Sequence, residues 1–338
     1  MPDETDIQRP YLLFLGDAHD DLAAKTAHGI ADWRREHCVG QYRLPGCRAT
    51  LDLPELGPGA AVAAGARTMV IGAVNPGGQI PDSWIYALTE ALDNGLDLAS
   101  GMHARLEEIP QIAAAAARNG RRLHNVRHPA RSFSTGSGLP RTGKRLLTMG
   151  TDCSVGKKYT ALALERDMRG RGIDADFRAT GQTGILIAGA GVAIDAVIAD
   201  FISGAAEWLS PPAPDDHWDI IEGQGSLFHP SFAGVTLGLL HGAQPDAFVL
   251  CHEPTRKTLR NVAAPIPDIA DCIDLILRLG QMTNPAIRCV GIAVNTVALP
   301  DDAAHSLLRD MENAYQLPCI DPVRDGTGPI IDRLLQEA

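Results

Sequence analysis

The chain has no hydrophobic run approaching the roughly 18 residues that a spanning helix needs, so no membrane crossing is expected. Its seven cysteines, Cys38, Cys47, Cys153, Cys251, Cys272, Cys289 and Cys319, form no CxxC pair and no zinc-type spacing. An odd, scattered set of this kind reads as the reduced thiols of a cytoplasmic protein. There is no excess of positive charge. Against 41 Asp and Glu stand 30 Lys and Arg, a net charge of −11, which argues against generic binding to nucleic acid or an anionic membrane. The opening residues Met1-Pro2-Asp3-Glu4-Thr5-Asp6 are polar and acidic and do not read as a signal peptide. No internal repeat is evident. What the chain does have is 338 residues, 45% hydrophobic and 21% charged, a globular composition with room for two domains of about 100–200 residues each. Its 34 glycines suit a fold with many tight turns between strands and helices.

The most informative stretch is Leu146-Leu147-Thr148-Met149-Gly150-Thr151-Asp152-Cys153-Ser154-Val155-Gly156-Lys157-Lys158-Tyr159-Thr160. An apolar run enters a short polar loop with two glycines and leaves through two lysines into a helical pattern. Strand, glycine loop and helix N-terminus together cradle phosphate. Backbone N–H groups converge on the anion, the helix dipole adds positive potential, and a lysine brings a full charge. Gly156 removes the side chain where backbone and phosphate must touch. Five residues separate Gly150 from Gly156, one more than in the common P-loop, and Lys158 stands where that pattern has a Mg²⁺-binding hydroxyl. The expected phosphate-binding set is Gly150, Thr151, Asp152, Cys153, Ser154, Val155, Gly156, Lys157, Lys158 and Tyr159, joined by Gln182.

Along the rest of the chain, Tyr11–Leu15 reads as a strand, followed by helical spacing from Asp20 to Glu36 that includes Leu22. Thr68–Gly72 is a buried strand before the turn-rich Asn75-Pro76-Gly77-Gly78. The pattern predicts a helix over Trp84–Asn94 closed by Gly95. Asp97 to His103 reads as a strand and then a loop. Pro110–Asn119 is predicted as a helix closed by Gly120. Alternating strands and helices imply a parallel sheet, so residues 1–130 are expected to form a small Rossmann-like domain. Residues 131–143, rich in Ser, Thr, Gly and Pro, read as a linker. A P-loop-type, doubly wound parallel sheet is expected over 144–338, which makes both domains α/β. In it Ala175–Ala179 is a strand running into the loop Thr180–Gly184, and Ile194–Leu209 is a helix. Trp218–Ile221 is a strand delivering Glu222-Gly223-Gln224-Gly225-Ser226. Asp246–Leu250 and Cys289–Val294 are core strands, and Pro329–Leu335 is a short helix.

In an open parallel sheet, ligands bind outside the carboxyl ends of the strands. Four loops at such ends, Gly150–Lys158, Thr180–Gly184, Glu222–His229 and His252–Arg256, are expected to share one crevice. It would collect Lys157, Lys158, Gln182, Glu222, Gln224 and His229. Glu222 directly follows a buried strand and suits a general base or a Mg²⁺ ligand. His229, Asp152 and His103 are further acid–base candidates. Asp152 lies inside the phosphate loop, and His103 follows Ser100-Gly101 in the first domain.

The loop Gly150–Lys157 has the longer form seen in dethiobiotin synthetases, and Ile221-Glu222-Gly223-Gln224-Gly225 is similar to their Val-Glu-Gly-Ala-Gly segment. A wider set of motifs resembles a smaller family. It comprises Gly150-Thr151-Asp152-Cys153, Ala179-Thr180-Gly181-Gln182-Thr183-Gly184, Asp195 to Phe201, Glu222 to Pro230, and Leu239-Leu240-His241-Gly242. In the first domain it adds Lys25-Thr26-Ala27-His28-Gly29 and Ser100-Gly101-Met102-His103. Together these resemble the D-glutamate N-acetyltransferase family, DgcN, over nearly the whole chain. The resemblance implies acetylation of D-glutamate from acetyl-CoA on a P-loop-type fold. Lys158 departs from the dethiobiotin synthetases, where a Thr would ligate Mg²⁺ beside ATP.

The leading expectation is therefore acetyl transfer from acetyl-CoA to the amine of D-glutamate or a similar acidic D-amino acid. The P-loop would hold the CoA phosphates, and no metal is required. A carboxylate or imidazole would take the amine proton, typically worth about 10²–10⁴-fold, and backbone N–H groups or Lys157 would steady the oxyanion. Lys25, Arg105 and Arg178 are candidate partners for the acceptor's carboxylates, with Gln224 also facing substrate. Two alternatives use the same loop. One is an ATP- and Mg²⁺-dependent carboxylate-activating ligase with Glu222 and Asp152 on the metal; the other is a nucleotide sensor without turnover. The expected partners are small-molecule substrates and, in a homo-oligomer, copies of the chain itself.

Overall fold

The computed structural model describes residues 7–21, 23–74, 78–129 and 131–336. The first part of the chain runs β1 (Tyr11–Gly16), α1 (Lys25–Trp33), β2 (Cys38–Arg43), α2 (Pro58–Ala63), β3 (Thr68–Ile71), α3 (Asp82–Asp93), β4 (Asp97–Ser100), α4 (Pro110–Asn119) and β5 (Leu123–Asn125). Then follow β6 (Lys144–Gly150), α5 (Lys157–Gly170), β7 (Ala175–Arg178), α6 (Gln182–Ala188), α7 (Ile202–Leu209), β8 (Trp218–Ile221) and α8 (Ala233–Ala243). The chain ends through β9 (Ala247–His252), α9 (Ile269–Gly280), β10 (Arg288–Val294), α10 (Asp301–Tyr315), β11 (Cys319–Ile320) and α11 (Gly328–Gln336). These elements make two compact units. One is the chain up to Arg131 together with Gly181–Ala196; the other is Ser132–Thr180 together with the chain from Val197. Among the described residues no helix is long and apolar enough to cross a membrane.

In the first unit five parallel strands lie in the order β2-β1-β3-β4-β5. Helices cover both faces of such a sheet, so its inner strands read as unbroken apolar runs; every residue of β1 is buried. The winding goes from β1 out to β2, then back across β1 to β3, β4 and β5. It reverses between β1 and β3. The second unit holds six parallel strands in the order β11-β10-β9-β6-β8-β7. Here β7 and β8 fill one side of β6, and β9, β10 and β11 fill the other, so the winding reverses between β6 and β9. Ligands of open α/β sheets sit outside the carboxyl ends of the strands at such reversals.

Several expected elements shift for local reasons. α1 starts at Lys25 rather than near Asp20, because Asp20 turns its carboxylate onto the Ala23 N–H at 2.7 Å ahead of the helix. Leu22, the turn residues Asn75, Pro76 and Gly77, and the acidic start Met1–Asp6 lie outside the described residues. Thr180–Gly184 is not all loop, since α6 begins at Gln182. The single helix expected over Ile194–Leu209 is two short 3₁₀ turns, Ile194–Ala196 and Ala199–Phe201, followed by α7. Ile198 is extended at φ −58°, ψ 136° and interrupts it. The stretch expected as a linker is held onto the second unit. The Ser137 and Gly138 N–H groups donate to the Glu207 carboxylate at 2.9 Å, and the Phe133 ring packs edge-on against Trp208.

A buried charge cluster fixes the amino end of β8. Asp219 accepts from Arg178 Nε at 2.5 Å, from Ser210 Oγ at 2.5 Å and from His217 Nε2 at 3.1 Å. His217 Nδ1 reaches Asp174 at 2.8 Å. Burial opposes the imidazolium charge, but the two carboxylates outweigh it and the His217 pKa is raised above 6.5. A raised folded-state pKa contributes stability that is complete below the unfolded value and is lost as pH rises through the folded value. The melting temperature lost in His217→Gln should therefore be larger at about pH 5.5 than at about pH 8.5. A loss independent of pH would mean that His217 is neutral in the fold.

Candidate active site

β6 ends at Gly150 and α5 begins at Lys157. Between them Ser154 lies at φ 55°, and Gly156, the N-cap, at φ 108°, a conformation that L side chains rarely adopt. Gly156 offers no side chain to the first turn, so the helix N–H groups and the positive end of its dipole remain for an anion. Lys157 is buried and folds back over the loop, its Nζ donating to the Asp152 carbonyl at 2.7 Å. Burial lowers its pKa. The end of β8 closes on the same loop. The Gly223 N–H donates to Thr148 Oγ1 at 2.9 Å, and a Cβ on Gly223 would stand 1.6 Å from the Thr148 carbonyl oxygen. Only glycine allows that approach. From β9, the Cys251 carbonyl accepts from the Thr151 N–H at 3.0 Å and His252 Nδ1 meets Thr151 Oγ1 at 3.1 Å.

Two arginines brace the cradle from the loop after β9. Asp152, fully buried, accepts from Arg256 Nη1 at 2.7 Å and from the Arg260 N–H at 2.8 Å. Burial would raise its pKa, but the Arg256 guanidinium and the neighbouring backbone N–H groups hold it below the usual carboxylate range. Asp152 is thus an ionised anchor and not a proton carrier. Arg256 also reaches the Cys153 carbonyl at 2.6 Å, and Arg260 Nη1 reaches Ser154 Oγ at 2.5 Å. Arg260 was not among the residues singled out by the sequence. The available signal was the position of His252–Arg256 at the carboxyl end of a core strand.

The other candidates on this unit are held by their neighbours. Glu222 is 4% exposed, and its Oε2 accepts from the Thr180 N–H at 3.0 Å. Thr180 Oγ1 donates to the Glu222 carbonyl at 2.5 Å and accepts from Gln224 Nε2 at 3.1 Å. His229 is 2% exposed, with Nε2 on the Arg260 carbonyl at 2.9 Å and Nδ1 accepting from the Ser231 N–H at 3.2 Å. Both ring nitrogens are taken by backbone, so His229 has no lone pair left for a general base. Arg178 is committed to Asp219 and Asp176, which removes it from the partners of an acceptor carboxylate. Lys158 Nζ lies 5.1 Å from the Tyr159 ring centroid. Asp152, Cys153 and His229 bring ligand atoms within 4.8 Å of one another. The set suits a metal poorly: His229 is doubly bonded, burial raises the Cys153 thiol pKa, and Asp152 Oδ2 belongs to Arg256. Asp152 Oδ1 is buried without a hydrogen-bond partner among the described residues.

The first unit carries its own cavity of about 200 Å³ at the carboxyl ends of its strands. Lys25 and Thr26 come from the start of α1, Gly101 and His103 from the loop after β4, Gln182 and Thr183 from α6, and Arg127 closes the lining. Arg127 pairs with Asp195 at 3.3 Å and donates to the Gly101 carbonyl at 3.4 Å. Two cations, two hydroxyls, an amide and an imidazole suit a small acid. Gln182 lies here, in the first unit, whereas Lys157, Lys158, Glu222, Gln224 and His229 lie in the second. Arg105 is exposed beside a 3₁₀ turn, Leu106–Glu108, and is not in the lining.

A loop with a glycine N-cap at the reversal of one parallel sheet, with a second parallel sheet carrying a polar cavity, fits a two-domain α/β protein of the P-loop class. Residues 132–331 match DUF1611_C, a domain of unknown function described as a P-loop domain, and residues 42–129 match DUF1611_N, described as Rossmann-like. The chain belongs to the DUF1611 family. It is 53% identical over 329 residues to a D-glutamate N-acetyltransferase of Tritonibacter scottomollicae, covering 97% of this chain and 99% of that protein. A D-glutamate N-acetyltransferase of a Pseudoalteromonas species is 48% identical with the same coverage. The crystal structure of a DUF1611 family protein from Anabaena variabilis ATCC 29413 superposes with a TM-score of 0.82 at 31% identity, covering 97% of this chain and 100% of that one. The family resemblance read from the motifs holds, and the chain is an enzyme of the acyltransferase class.

Proposed function

We propose that the enzyme moves an acetyl group from acetyl-CoA to the amine of D-glutamate or a similar acidic D-amino acid, with the CoA phosphates in the Gly150–Tyr159 cradle. The observation that carries this reading is the make-up of the cradle. Lys158 stands where the common P-loop has its Mg²⁺-binding hydroxyl, and the loop acid Asp152 is paired with Arg256. CoA phosphates need N–H groups and cations, which the loop and its lysines and arginines supply. The relatives named for D-glutamate support the acceptor. An acidic acceptor needs cations for its carboxylates; Lys25 of the first unit's cavity provides one, and Arg127, whose guanidinium also holds Asp195, lies beside it.

His103 lines that same cavity and is the base in this reading. It takes a proton from the acceptor's ammonium. The freed amine attacks the thioester carbon, the carbon–sulfur bond breaks as the amide bond forms, and the departing CoA thiolate is protonated to the thiol. Glu222 suits the cradle better than the chemistry. Its charge acts on Lys157, the lysine of the cradle, so its removal is expected to act on donor binding rather than on the amine.

The test is thiol release from acetyl-CoA against a panel of D- and L-amino acids, with acidic D-amino acids expected to react fastest. Turnover should proceed without stoichiometric ATP hydrolysis and be indifferent to EDTA. Acceptor-dependent ADP formation that EDTA suppresses would reject the reading in favour of a carboxylate-activating ligase.

A further inference from the structure

Beside the phosphate cradle, within the second unit, opens a cavity of about 460 Å³, inside the size range of small-molecule sites. One wall is the cradle itself, through Val155 and Gly156 of the loop and Tyr159 of the first turn of α5. The opposite walls come from the loops after β10 and β11, and each presents an exposed valine: Val297 is 78% exposed and Val323 66%. Scattered single apolar residues on a surface need no explanation, but these two line one cavity and are held in place together. The buried Asp321 carboxylate accepts from the Thr296 N–H at 3.0 Å, from Thr296 Oγ1 at 2.5 Å and from the Val323 N–H at 2.9 Å. One side chain thus ties both valine-bearing loops to each other. Asn295 Oδ1 accepts from the Val297 N–H at 3.2 Å, which leaves its Nδ2 as a donor on the cavity wall.

We propose that this cavity receives the adenine ring of the acetyl donor, an inference that rests on reading the cradle as the CoA phosphate site. Adenine is flat and apolar on both faces, with acceptor nitrogens on its edge. Val297, Val323 and Tyr159 meet the faces, and Asn295 Nδ2 meets an edge nitrogen. Because the cavity shares Val155 and Gly156 with the cradle, a ring joined to phosphate through a ribose enters it directly.

The test uses the full chain with both valines replaced, Val297→Ser and Val323→Ser. Both positions are exposed, and an unchanged melting temperature verifies the fold. Calorimetry should show the CoA Kd rising about tenfold or more, while the Kd for pyrophosphate, which reaches only the cradle, stays within about twofold. An unchanged CoA Kd in the double variant would overturn the proposal. Photolabelling with 8-azido-CoA should mark the peptides around Val297 or Val323, and labelling confined elsewhere would also overturn it. Lys157→Ala, measured in parallel, separates the two readings. If it weakens CoA binding and the valine variant does not, the adenine site alone falls. If neither variant weakens CoA binding, the cradle assignment falls with it.

Discussion

Replacing His103 by Asn is expected to slow the acetylation of D-glutamate by about 10²–10⁴-fold, the usual loss when a general base is removed, with little change in acetyl-CoA affinity. The expectation rests on company and on rigidity. His103 shares its cavity with Lys25, Arg127, Gln182 and Thr183, the groups suited to an amino acid's charged ends. Its backbone N–H donates to the Gly78 carbonyl at 2.9 Å, and its carbonyl meets His128 Nε2 at 3.0 Å. Gly78, at φ 58°, packs against the ring so closely that a Cβ there would lie 2.6 Å from His103 Cδ2. The backbone of His103 is thus held at both its N–H and its carbonyl, and Gly78 lies against one edge of the ring, which limits where the imidazole can point; aim is what a proton transfer between oriented groups requires. The comparison that gives the result meaning is Glu222→Gln. It preserves the side chain's shape and should alter the bound-state rate by less than about tenfold, acting on the cradle and not on the amine. If the large loss in kcat appears in Glu222→Gln and not in His103→Asn, the roles are reversed and the carboxylate at the end of β8 is the base.

The contrast between those two residues marks how far the sequence could be read. The cradle was legible because its requirements are local. An apolar strand, a loop with Gly156 at its end and a lysine-led helix fall within one continuous stretch, and each has a backbone reason to be there. Pro110–Asn119, with Gly120 as a left-handed cap, was legible for the same reason. Trp218–Ile221 was legible as a fully buried run. β2 was not, since Cys38–Arg43 has no apolar alternation. It is made a strand by its parallel pairing with β1, and the Gln41 side chain ties it to the following loop at the Leu51 and Leu53 carbonyls, 3.2 and 3.1 Å away. The candidate site divides along the same line. That Lys157 and Glu222 lie near one loop follows from strand order in a parallel sheet. That both nitrogens of His229 are engaged by the Arg260 carbonyl and the Ser231 N–H, or that Arg178 is held by Asp219, depends on which partners the fold delivers. Gln182 makes the point most plainly. Its motif adjoins a strand of the second unit, yet α6 packs on α1 in the first, and spacing along the chain carries no trace of that.

Lys157→Ala should weaken acetyl-CoA binding by about 1.5–3 kcal/mol, the range for a hydrogen bond to a charged group, which is about 10–150-fold in Kd. It should leave kcat at saturating acetyl-CoA within a few-fold of the parent. Lys157 directly follows the glycine N-cap of α5, so its loss removes the full charge from the anion site but leaves the helix dipole and backbone N–H groups in place. The free protein holds Nζ on the Asp152 carbonyl at 2.7 Å. A phosphate must therefore compete with a bond already made, which is why the effect is bounded. Burial also lowers the Lys157 pKa. Its charge is disfavoured until an anion arrives, and in the free enzyme it is lost at a lower pH than for an ordinary lysine. Parent affinity should accordingly decline as pH rises through that lowered value, and the decline should be absent from Lys157→Ala. The variant removes a buried cation, which is costly to bury, but also its bond to the Asp152 carbonyl, so its melting curve is recorded beside the affinity. The melting curve thus separates a binding defect from damage to the fold. Calorimetry with acetyl-CoA across the alkaline range decides the matter: equal affinity in both proteins, or an identical pH dependence, would show that Lys157 braces the loop through Asp152 and does not meet the phosphate.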